Sequence, residues 1–149
     1  MLAKIIIFNV VFHAITIIVY AFFLRSTIER HTDISEIPYK PLLRCSMLAF
    51  FPSFILSSVL VGSGLWQVIP TVPSEPVSRH WLYDVSYLLF SYGSVYAITT
   101  WDLHRRFKSA IDALDISFNK MMIFTAAKTS LSAPIVFIVS VVMVVPLLA

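Results

Sequence analysis

The sequence predicts an all-α membrane protein, a bundle of four transmembrane helices, on three observations. Hydrophobic residues fill 58% of the 149 positions and charged residues only 13%, against roughly 45–50% and about 25% in soluble domains. The charges are gathered between four apolar stretches, each long enough at about 1.5 Å per residue to cross a hydrocarbon core of about 30 Å. Lys and Arg are concentrated in alternate connections between those stretches. At this length the chain is expected to form a single integral membrane domain over residues 1–149.

The first span is expected over residues 4–24, since Ile5 to Leu24 are uncharged between Lys4 and Arg25. A signal peptide would have a shorter apolar region, about 7–15 residues, followed by a small-residue cleavage site. Ala21-Phe22-Phe23-Leu24 offers no such site, so this segment is expected to stay in the chain. The second span covers about residues 43–69 and contains Pro52, whose missing amide donor predicts a bend that neighbouring helices accommodate. The third, residues 81–103, carries Asp84 in its first turn. The fourth, residues 126–148, is charge-free from Thr129 and nearly featureless beyond Ile135, which suits lipid contact or burial among other spans.

Orientation follows from the cations, because loops rich in Lys and Arg are retained on the cytoplasmic side. After the first span come Arg25, Arg30, Lys40 and Arg44, and after the third come Arg105, Arg106, Lys108, Lys120 and Lys128. Those nine face only Lys4 and Arg79 on the other side. Both termini are therefore expected on the non-cytoplasmic side, with the protein multi-pass in a cytoplasmic or inner membrane if bacterial. Trp66, Trp81, Tyr83 and Trp101 near the span ends fit interfacial aromatic belts.

The connections are short. Pro70, Pro73 and Pro76 recur every third residue in the external loop, the period of a stiff polyproline II connector. The first cytoplasmic loop, Arg25 to Pro41, mixes both signs of charge; Asp33-Ile34-Ser35-Glu36 has the chemistry of a helix start, but Pro38 and Pro41 leave little room for helix after it. Between the third and fourth spans, Phe107, Ile111, Leu114, Phe118 and Met121 make one apolar helical stripe. This predicts a cytoplasmic amphipathic extension of the third and fourth spans that packs on itself or a partner.

Polar groups inside hydrocarbon are costly, so their placement is informative. On the first span Asn9, His13, Thr16 and Tyr20 share one helix face, and on the third Asp84, Tyr87, Ser91 and Ser94 do the same. Each stripe is expected to face protein. Counted from the same membrane boundary, Asn9 and Asp84 are level and His13 lies deeper, between Tyr87 and Ser91. The oppositely directed second span brings Ser58 to comparable depth. Asn9, His13, Thr16, Ser58, Asp84, Tyr87 and Ser91 are thus the candidate intramembrane cluster. On the second span Ser53 and Ser57, and Ser58 and Gly62, form small-xxx-small pairs that permit close helix packing.

Three roles suit that cluster. Its members can hydrogen-bond one another and set helix register. They can form an ion or proton path, or a sensor, with His13 and Asp84 titrating. His13 can ligate a haem iron, but a second imidazole is wanted at its depth, and His31, His80 and His104 all lie at boundaries; only a homodimer supplies one. Asp84 also has Arg79 and His80 nearby, and Asp102 has Arg105 and Arg106, as local charge partners.

The motifs of common enzyme chemistry are missing: HExxH, CxxC, GxSxG and the phosphate-binding glycine loops. Cys45 is the sole cysteine, which excludes an internal disulfide; at the membrane edge it is read as an inert buried thiol in preference to an acylation site. No cofactor and no nucleic-acid partner are implied. The expectation is a non-enzymatic membrane subunit, homo-oligomeric or joined to other subunits. Arg25, Arg30, Lys40, Arg44, Arg105, Arg106 and Lys108 would engage a cytosolic protein. The alternative is an ion or proton channel or a membrane-perturbing effector, of which small defence or immunity membrane proteins are examples of similar size.

Overall fold

The computed structural model describes residues 2–31, 37–62, 78–112 and 118–148, all helical except Ile37 and Pro38. Four helices follow in chain order: α1 (Leu2–His31), α2 (Tyr39–Gly62), α3 (Ser78–Asp112) and α4 (Phe118–Leu148). Three of them contain stretches long and apolar enough to cross a membrane, namely Ile6–Arg30, Tyr39–Leu60 and Asn119–Pro146. The longest helix, α3 with 35 residues, does not reach the same apolarity among its described residues. Tyr87, Ser91, Tyr92, Ser94, Tyr96, Thr99 and Thr100 dilute its middle.

The helices overrun the expected spans. α1 continues past Leu24 to His31, and on this extension Arg25 Nε bonds Glu29 Oε1 at 2.7 Å, one turn on. α2 begins at Tyr39 and takes in Pro41, a correction to the view that this proline limits helix here. In a first helical turn the amides have no partner within the helix, so a missing N–H costs nothing. Helix also continues through Pro52 in α2 and through Pro134 and Pro146 in α4. Of the stripe from Phe107 to Met121, Phe107 and Ile111 lie on α3, Phe118 and Met121 lie on α4, and Leu114 is outside the described residues. Residues 32–36, 63–77 and 113–117 lie outside the described residues, and with them Asp33 to Glu36, Trp66 and the Pro70–Pro76 loop. The side-chain surroundings of Gly62, Trp81, Tyr83, Asp84 and Lys108 lie outside them too.

Packing is antiparallel throughout. α1 lies against both α2 and α4, and α2 against α3. Phe8 meets Phe137 edge-on with ring centroids 5.6 Å apart, while the other half of α1 joins Met121 and Met122 in the core. Between α3 and α4 the visible links are long side chains: Tyr92 to Ser130, and Tyr96 donating to Asn119 Oδ1 at 2.7 Å. The outer faces are apolar, with Leu131 80% and Leu89 70% exposed, as suits helices bordering lipid.

The buried apolar core sits at one end. Tyr20, Leu24, Ile28, Ile37, Leu42, Leu103, Met121 and Met122 form it, with Phe50 and Val95 packed against it. These residues come from the second half of α1, the start of α2, the second half of α3 and the start of α4, the end that carries the clustered cations. We call this the inner end and the opposite one the outer end.

Candidate functional site

Toward the outer end, α1 and α2 are joined by a neutral hydrogen-bond cluster. Asn9 Nδ2 donates to Ser57 Oγ at 3.1 Å and to Ser58 Oγ at 3.0 Å. The single Ser57 proton has two acceptors within reach, Asn9 Oδ1 at 3.2 Å and its own helix carbonyl at Phe54, 3.0 Å away. One amide on α1 thus meets two adjacent hydroxyls on α2. From α3, the Tyr87 hydroxyl lies close to Ser57 and to Ser91.

One turn further in, His13 is 6% exposed, with its Nδ1 2.9 Å from the Asn9 carbonyl oxygen. A carbonyl only accepts, so Nδ1 carries the proton and a neutral ring keeps its lone pair on Nε2. Phe54 stands edge-on to the imidazole, ring centroids 5.4 Å apart. Thr16 shares this face of α1 but spends its hydroxyl on its own helix, donating to the Phe12 carbonyl at 2.8 Å.

Of the residues singled out in the sequence, the fold therefore gathers Asn9, His13, Ser58, Tyr87 and Ser91 on the α1–α2–α3 seam. Thr16 is on the seam without bridging helices. Asp84 lies on α3 with its side chain outside the described residues. The packing serines Ser53 and Ser57 are both buried, 3% and 2% exposed, so this stripe faces the chain's own helices. Gly62 ends α2.

A second polar group lies at the inner end, and sequence reasoning did not assemble it. Tyr20 of α1 and Thr99 of α3 meet through their hydroxyls at 3.1 Å. Cys45 of α2 lies beside Thr99 and Asp102 and is fully buried. Asp102 is 2% exposed and accepts from Arg106 Nε at 2.8 Å. A carboxylate this deep is tolerable only when paired and hydrogen-bonded. The signal that was available is the continuous one-turn stepping of small residues on α2, Cys45, Ala49, Ser53 and Ser57, which marks the whole inward face.

The cations divide in two. Arg25 and Arg106 are committed to Glu29 and Asp102. Arg30, Lys40, Arg44 and Arg105 are exposed and have no ion-pair partner among the described residues; Arg105 rests over the Trp101 ring, 5.6 Å from its centroid. Among the described residues no group of three His, Cys, Asp or Glu side chains is placed to hold a metal ion. Compared with known protein families, curated proteins and solved structures, the chain matches none.

Proposed function

We propose that this chain is a four-span membrane protein with both termini on the non-cytoplasmic side. It works without catalysing a reaction, as a subunit that self-associates and holds a cytosolic protein against the membrane. The observation that carries this reading is the inner end. Antiparallel packing brings cations from all four helices to one side of the bundle, and Arg30, Lys40, Arg44 and Arg105 remain exposed there. A soluble partner with an acidic face is the matching surface, attracted by charge before contact.

The test is co-purification from its native membrane in mild detergent, comparing wild type with the double variant Arg44→Glu, Arg105→Glu. The proposal expects a multimer and a cytosolic protein that the charge-reversed variant loses. A monomer that retains nothing overturns it.

A second reading, an ion or proton path, draws on the burial of His13 within the polar seam. Flux across liposomes that both His13→Ala and Asp84→Asn abolish favours it. Absence of flux, with reduced thermal stability of the variants, favours helix-to-helix bonding as the role of these residues.

A further inference from the structure

Hydroxyls in this chain are regularly satisfied by the carbonyl one turn earlier. Thr27 donates to Phe23, Ser46 to Leu42, Thr125 to Met121 and Ser140 to Val136, all at 2.7–2.9 Å. Two hydroxyls on the α2–α3 contact break this habit. Ser53 Oγ and Ser91 Oγ, like Thr100 Oγ1 elsewhere on α3, are buried and make no hydrogen bond of ordinary geometry among the described residues, although the Tyr87 hydroxyl lies close to Ser91; Ser53 as a whole is 3% exposed. A buried polar atom left unpaired calls for a physical account, and bound water is a common one.

The register between the two helices places these atoms together. Near the inner end Cys45 meets Thr99, and near the outer end Ser57 meets Tyr87. In an antiparallel pair each step along one helix is matched by a step back along the other. One turn inward from Ser57 and Tyr87 are Ser53 and Ser91. Two turns outward from Cys45 and Thr99 are the same two residues. Both ends of the contact agree, and four residues rise about 6 Å, so the two orphan hydroxyls stand level on facing helices directly beneath the Asn9–Ser57–Tyr87 group. They do not bond each other, and a polar contact too wide for a direct bond is the geometry a single water bridges.

We propose that Ser53 and Ser91 hold water between α2 and α3, an internal hydration site roofed by Asn9, Ser57 and Tyr87. Each hydroxyl offers one donor and two acceptors, so a shared water bonds both serines and keeps capacity for a further polar neighbour. Its inner limit is apolar: Ala49 and Val95 are the next level of the same register, Ala49 fully buried and Val95 packed against the buried core. Water held here lies at the level of His13 and is stopped inward by that apolar level. The seam is a hydrated recess, not a through-channel, in this conformation. This inference is independent of the docking proposal.

The test is radiolytic hydroxyl labelling of the full chain in lipid nanodiscs, in which radicals formed from bound water mark adjacent side chains. Tyr87 is the reporter for the recess and Tyr20, 2% exposed within the apolar core, is the internal reference. Tyr87 is expected to label several-fold faster than Tyr20. Ser53→Ala and Ser91→Ala are each expected to cut Tyr87 labelling at least threefold with Tyr20 unchanged, while Ser53→Thr, which keeps the hydroxyl, retains it. Should one alanine variant fail to fold, the other and the threonine variant suffice. Tyr87 labelling no faster than that of Tyr20, or unaffected by loss of either hydroxyl, overturns the proposal.

Discussion

The two ends of the bundle are held by different means. At the inner end, large side chains from all four helices interlock, and Asp102 is buried inside that packing with Arg106 as its counter-charge. Toward the outer end, α1 and α2 meet through Asn9 and two serines, all neutral, and the Ser53 and Ser91 hydroxyls make no hydrogen bond of ordinary geometry among the described residues. Lipid chains are as apolar as leucine, so helices in a bilayer associate through close packing and hydrogen bonds with little hydrophobic drive. The inner end has both sources of cohesion and the outer end chiefly the weaker one. The contrast assigns rigidity to one half and adaptability to the other, and substitutions at each end test it directly.

The largest effect is expected at Leu24, which is completely buried in the inner core. Leu24→Ala removes its packing and leaves a void, a loss of about 3–4 kcal/mol by comparison with other buried leucines, read as a fall in denaturant midpoint in detergent. If this substitution costs less than one at Asn9, the assignment of cohesion to the inner end is wrong. Next comes Arg106→Ala, which strips a buried carboxylate of its charged donor at an expected cost of about 2–3 kcal/mol.

How much of this was legible follows from what each feature depends on. The helices were readable because twenty uncharged residues between Lys4 and Arg25 declare a span without reference to any other part of the chain. Their ends were less so: α1 runs on to His31, its extension burying Thr27 and Ile28, and α2 admits Pro41 because a first turn has no bond to lose. Asn9, His13 and Ser58 could be placed on one seam from one-turn spacing and depth counted from a common boundary, both properties of single helices. The inner group could not. Arg106 beside Asp102 was visible as a local pair, but that Asp102 is buried depends on Cys45 arriving from α2, and no spacing within one helix encodes that. Cys45, taken alone, offered only a choice between an inert thiol and an acylation site; its full burial favours the former.

Asn9→Ala is the matching change in the outer half. It removes the amide that bonds both Ser57 and Ser58, and membrane hydrogen bonds of this kind are worth about 0.6–2 kcal/mol. A loss of about 1 kcal/mol is expected, measured by the same unfolding assay, with inner-end tryptophan fluorescence from Trp101 unchanged until global unfolding. If the two halves melt together in wild type but separately in this variant, Asn9 is what couples them.

The smallest effect is expected on the lipid-facing side of α4, and it bears on assembly. Leu131 is 80% exposed, so within one chain its side chain has almost no packing to lose. Leu131→Ala should shift the stability of the isolated chain by less than about 0.5 kcal/mol, the usual range for substitutions away from packed sites. The self-association proposed above leaves open which face meets the second copy, and this variant separates the possibilities. Unchanged multimer content in mild detergent leaves α4 to lipid and moves the interface elsewhere on the bundle. A drop in multimer content with intact monomer stability places the contact on α4, because an exposed side chain that contributes nothing to its own fold can weaken assembly only through another molecule.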